Sequence, residues 1–141
     1  MYKTILHATD LSETHFDLCE QAVRVATQFN ARLYLIYVIE SSAALQLAQG
    51  LGFAEIAVPV KDDAEVVMDT LGDALNIPKD QLLVESGSVK HKVLEIAEAL
   101  GCDLLIIGGH RHHDLSEMMS STARSLMEQA PMDVLTLRAR R

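Results

Sequence analysis

The chain has 141 residues, with 12 Lys and Arg against 20 Asp and Glu, for a formal net charge of -8. That length fits one domain spanning residues 1–141, and 49% apolar with 23% charged residues is globular composition, which excludes wholesale disorder. The acidic balance disfavours nucleic acid and anionic membrane as partners, because both need clustered Lys and Arg, but it leaves open a small anion held by backbone N–H groups.

In chain order, short β-branched runs alternate with longer segments of helical period. Residues 5–8 read as a first strand, and Asp10-Leu11-Ser12-Glu13 has the spacing of a capping box. Phe16, Cys19, Val23, Ala26 and Phe29 then form one apolar face of a helix, with Asn30 as its left-handed stop. Residues 33–39 are apolar on both faces, which marks a central strand. Residues 41–60 read as an excursion from the repeating pattern, with a short 56–60 run broken by Pro59. A helix opening at Asp62 or Asp63 carries Ala64, Val67, Met68, Leu71, Ala74 and Leu75 inward and stops at Pro78.

The third strand is 82–84. Ser88 caps the next helix, which turns Val89, Val93, Ile96, Ala97 and Leu100 inward and closes at Gly101. The fourth strand is 104–107. A loop from Gly108 leads to a helix with Met119, Ala123, Leu126, Met127 and Ala130 inward, then Pro131 and a last strand at 134–137. Helices between successive strands imply parallel crossovers in an open, doubly wound α/β sheet. Ligands of such sheets sit at the C-terminal strand ends where the strand order reverses.

Three strand ends could carry chemistry: Thr9-Asp10, Val38 and Gly108-Gly109. Glycine lets backbone approach a phosphate, and the hydroxyls of Ser120-Ser121-Thr122 at a helix start add donors. Capping explains Asp10 equally well, and a tight turn explains the glycine pair. The Walker, dinucleotide and nucleophile-elbow patterns are absent from the sequence. His110-x-His112-His113-Asp114 could attract adventitious metal, yet a physiological site needs a defined partner set, so none is expected. His7 reads as a hydrogen-bonded core histidine. Cys19 and Cys102 read as packed thiols in a reducing compartment. The N-terminus has no long apolar stretch, and no apolar run reaches about 18 residues. The expectation is a cytoplasmic protein with no membrane span.

Taken in order, 2–12, 31–38, 85–88, 101–108 and the ending Ala130-Pro131-Met132-Asp133-Val134-Leu135 resemble the universal stress protein family over essentially the full chain. The resemblance implies a three-layer, Rossmann-like fold with a five-stranded parallel sheet in the order 3-2-1-4-5. It also implies a homodimer formed through the last strand, here Val134, Leu135, Thr136 and Leu137.

One branch of that family binds ATP through G-x-x-G-x9-G-[ST] after strand four. Counting forward from Gly108 places Arg111, Ser121 and Thr122 at the later positions, and counting back from Ala130-Pro131 places Ser120 and Ser121 there. Either way only the first glycine survives. The His-rich loop and Met119-Ser120-Ser121-Thr122-Ala123-Arg124 resemble the UspA-type branch, which lacks the nucleotide. Asp10 and Val38 match the family's base-contacting positions.

The expectation is therefore a dimeric, non-enzymatic stress-response protein acting through protein contacts, with no cofactor. The alternative is a member that binds ATP with magnesium through Asp10, Val38, Gly108, Arg111, Ser120, Ser121 and Thr122. The tail arginines Arg138, Arg140 and Arg141 are expected to solvate the last strand's edge rather than bind nucleic acid.

Overall fold

The computed structural model describes residues 1–12, 14–40, 50–52, 57–109 and 121–140. Its elements are β1 (Thr4–Ala8), α1 (His15–Phe29), β2 (Arg32–Glu40), α2 (Ala57–Leu75), a 3-10 turn (Lys79–Gln81), β3 (Leu82–Gly87), α3 (Val89–Ala99), β4 (Leu104–Gly109), α4 (Ser121–Gln129) and β5 (Asp133–Arg138). The strands make one parallel sheet in the order β3-β2-β1-β4-β5. Ile5, Leu6, Leu35, Ile36, Leu105 and Ile106 are completely buried, as strands covered on both faces require. Alternation along each strand divides the core in two. Ile5, Leu35 and Ile106 pack with Cys19 and Ala22 of α1 and Met68 and Leu71 of α2. Leu6, Ile36 and Leu105 pack with Val93 and Ala97 of α3 and Ala123 and Leu126 of α4. This is the three-layer order expected from the sequence.

The two helix stops behave alike. Asn30 is left-handed (φ 52°, ψ 43°), its N–H donates to Thr27 O at 3.1 Å, and Ala31 N–H donates to Ala26 O at 2.8 Å. Gly101 (φ 67°) donates to Glu98 O at 3.1 Å, and Cys102 N–H to Ala97 O at 2.9 Å. Each satisfies carbonyls that a helix end leaves bare and turns the chain into the next strand.

Four expectations need correction. Asp10 does not cap α1: its carboxylate accepts from Ser12 N–H at 2.9 Å, closing a local turn, and Thr14 precedes the helix without a side-chain cap. Leu11 at φ 55° bends the chain away from helix there, so capping-box spacing coincides with a different turn. The buried stripe of α1 is Leu18, Cys19, Gln21, Ala22 and Ala26; Phe16 is 44% exposed, and Phe29 instead meets Tyr2 edge-on with ring centroids 5.0 Å apart. Helix α2 begins at Ala57, with Pro59 in its first turn, where a missing N–H costs nothing. Val67, Ala74 and, on α4, Met127 lie on exposed faces. The one-residue offsets arise because a mostly apolar helix has several equivalent stripes, and sheet contact chooses among them.

Helix propensity and packing oppose one another at Gly72. A Cβ there would lie 2.5 Å from Leu82 Cδ1 and 3.1 Å from the Ile77 carbonyl. Gly→Ala in an open helix gains about 1 kcal/mol. Here Gly72→Ala is expected to destabilise by roughly 1–3 kcal/mol, because the carbonyl cannot move aside. Urea denaturation of the two chains checks the sign.

Candidate functional site

The sheet reverses direction of growth at β1, which has β2 on one side and β4 on the other. Their C-terminal ends splay around a cavity of about 700 Å³, in the size range of small-molecule sites. Ala8, Thr9 and Asp10 supply one wall, Val38 and Glu40 a second, Ile107, Gly108 and Gly109 a third, and Thr122, Ala123 and Leu126 a fourth.

The turn after β1 is built by its own polar side chains. Thr9 N–H donates to Ile36 O at 2.9 Å, extending the β1–β2 pairing by one residue. Leu11 N–H donates to Thr9 Oγ1 at 3.2 Å while Asp10 takes Ser12 N–H. These bonds hold the backbone through the left-handed Leu11 and bring Ser12 and Thr14 to the cavity rim.

Four of the seven sequence candidates converge here: Asp10, Val38, Gly108 and Thr122. Ser121 starts α4 and is exposed, outside the cavity wall. Arg111, Ser120, Met119 and the histidine run 110–114 lie outside the described residues. Glu40, Thr14, Leu18 and Ala139 also border the cavity. The strand-end rule points to Glu40 and Thr14; no sequence signal points to Ala139.

Gly108 has a packing reason of its own. An added Cβ would sit 2.8 Å from Leu18 Cδ1, and at Gly109 one would sit 2.9 Å from Thr136 Cγ2. Neither glycine adopts a left-handed backbone. Their small size therefore lets α1 and β5 close on β4, with no need to invoke phosphate.

His7 and Cys19 near the cavity, and Cys102 before the start of β4, are held in unreactive forms. Burial lowers the His7 pKa to about 4 against the opposing Ile106 carbonyl and Asp10 charge, so the ring is neutral near pH 7. Burial also raises the Cys19 thiol to about 12, despite a hydrogen bond with Thr9 that favours ionisation, and Cys102 to about 11. Nucleophilic thiolates need the reverse shift. Among the described residues no three His, Cys, Asp or Glu are grouped to hold a metal, and no helix is long and apolar enough to cross a membrane.

Comparison with known proteins agrees with the fold. A profile of the universal stress protein family matches residues 1–138. Universal stress protein A homolog 1 of Coxiella burnetii is 33% identical, covering 96% of each chain. The solved universal stress protein UspA from Lactobacillus plantarum superposes with a TM-score of 0.69 at 22% identity, covering 97% of this chain and 98% of that one. A universal stress protein solved in complex with cAMP also gives 0.69, at 17% identity and 98% coverage of both. At those identities the two structures establish the shared fold. From the profile and the Coxiella relative, this chain belongs to the universal stress protein family.

Proposed function

We propose that this protein is a cytoplasmic, dimeric stress-response protein that works through contacts with other proteins, without catalysis and without ATP. The charge of the cavity carries the reading. Its described walls include two carboxylates, Asp10 and Glu40, and no Lys or Arg. A triphosphate with magnesium remains anionic and needs compensating donors or cations where its charge sits. Thr122 offers one hydroxyl at the α4 start, and Gly108 is accounted for by Leu18.

The dimer reading rests on β5. It pairs only with β4, so the backbone groups of its other edge have no strand partner among the described elements. Val134, Leu135, Thr136 and Leu137 are half-buried, and exposed Met127 lies beside Thr136 with Oγ1 to Sδ at 3.8 Å. A second copy adding its own β5 would satisfy that edge and cover these side chains.

A second reading is favoured by the convergence itself. Asp10 and Val38, which match the family's base-contacting positions, share one cavity with Thr122, and a protein of the same fold is solved with cAMP. This reading makes the chain an adenine-nucleotide binder. Calorimetric titration with ATP and magnesium, with light scattering on the same sample, separates the two. The first reading expects no saturable heat at micromolar nucleotide and a mass of about twice 15.5 kDa. Micromolar binding that is lost in Asp10→Ala establishes the second, and a monomer at tens of micromolar removes the β5 interface.

A further inference from the structure

The last rung between β4 and β5 pairs Gly109 with Arg138. Beyond it the tail has no strand to bond among the described elements, so its backbone groups need other partners. Helix α1 provides them. Gln21 Nε2 donates to the Arg138 carbonyl at 2.9 Å and to Asp17 Oδ2 at 3.2 Å. The same Asp17 oxygen accepts from the Arg140 N–H. Gln21 is only 7% exposed, so a buried carboxamide one helical turn from Asp17 is committed to holding the tail. The tail backbone is thus fastened to α1, while Arg138 and Arg140 themselves are exposed.

Ala139, between the two fastened residues, borders the cavity. So does Leu18, which lies between Asp17 and Gln21 in sequence and is 7% exposed. We propose that residues 139–140 form a strap closing the α1 side of the cavity, with Gln21 holding its base at Arg138 and Asp17 its end at Arg140 as the positioning residues. Two hydrogen bonds tie the tail to α1, Gln21 Nε2 to the Arg138 carbonyl and Arg140 N–H to Asp17, and the β4–β5 ladder ends where the strap begins. The strap can therefore lift while all five strands stay paired, a local opening of the low-stability kind. Lifting it uncovers Leu18 and widens the cavity towards α1, which gives a small ligand a route of entry. The strap's role in ligand access rests on the cavity being a ligand site, as in the nucleotide reading above.

The test needs no ligand. Leu18→Cys is labelled with neutral N-ethylmaleimide, and the adduct at position 18 is located by peptide mapping. The parent chain, whose Cys19 and Cys102 are buried, supplies the background rate. Labelling is compared in the intact chain, in Gln21→Met, and in a chain ending at Arg138, which keeps every strand. The strap predicts slow labelling in the intact chain and a rise of about tenfold in both altered chains, with unchanged circular dichroism. An unchanged rate in the shortened chain overturns it. Loss of folded signal in the shortened chain also overturns it, because the tail would then be a folding element. ATP titration of the intact chain tests the cavity separately, so the two failures are distinguishable.

Discussion

Acidification from about pH 7 to about pH 4 is expected to cost the native state roughly 3 kcal/mol at His7 alone. His7 lies in β1, fully buried, with Nδ1 3.0 Å from the Ile106 carbonyl and Nε2 without a hydrogen-bond partner among the described residues. Near pH 7 the neutral ring donates from Nδ1 to that carbonyl and leaves the Nε2 lone pair bare. Burial lowers its pKa from 6.5 to about 4. Between those values the unfolded chain binds a proton that the folded chain refuses, so stability falls as pH falls. The contribution is fully present above about 6.5 and is lost down to about 4. A gap of about 2.5 units at 1.36 kcal/mol each sets the magnitude.

His7→Val removes the Nδ1 bond and the orphaned Nε2 together and suits a central strand. It should be close to neutral at pH 7 and should lack this part of the acid slope. Urea unfolding of both chains across that pH range decides the matter. Equal slopes would show that His7 is hydrated or paired in solution.

The second large effect concerns the glycine that most resembles a phosphate-loop residue. Leu18→Ala should destabilise by about 3 kcal/mol, within the usual range for a buried leucine. Gly108→Ala alone should cost about 1 kcal/mol, because its new methyl falls 2.8 Å from Leu18 Cδ1. In the double variant the methyl occupies space that Leu18 vacates, so the combined loss should be smaller than the sum by about 1 kcal/mol. Denaturant midpoints of the four chains complete the cycle. Strict additivity would remove the packing explanation and return Gly108 to a ligand role.

Much of the architecture was legible in the sequence because its signals are local. Unbroken apolar runs at 33–39 and 104–107 require cover on both faces, and Asn30 and Gly101 end helices through backbone geometry that few residues adopt. The offset stripe of α1 was not legible. Gln21 looks like a surface residue until the C-terminal tail arrives from more than 100 positions away to bond it. Asp10 shows a related limit: a capping box and a turn closed by Ser12 N–H share the same residue types, and the left-handed Leu11 separates them.

The candidate site divides in the same way. Strand-end position singles out Asp10, Val38 and Gly108, since the ends of β1, β2 and β4 must meet wherever the order reverses. The -8 charge disfavours large polyanionic partners but does not say where its carboxylates fall. Tertiary structure alone placed Glu40 with Asp10 on one cavity, set Leu18 over Gly108, and latched Ala139 into the wall. Those relations join residues far apart in the chain through side-chain contact, and no local pattern encodes such contact. The sequence by itself determined a parallel sheet of alternating strands and helices and the strand ends that could line a crevice, because these follow from backbone periodicity and connection length. The strand order came with the family resemblance. What lines that crevice was decided by packing.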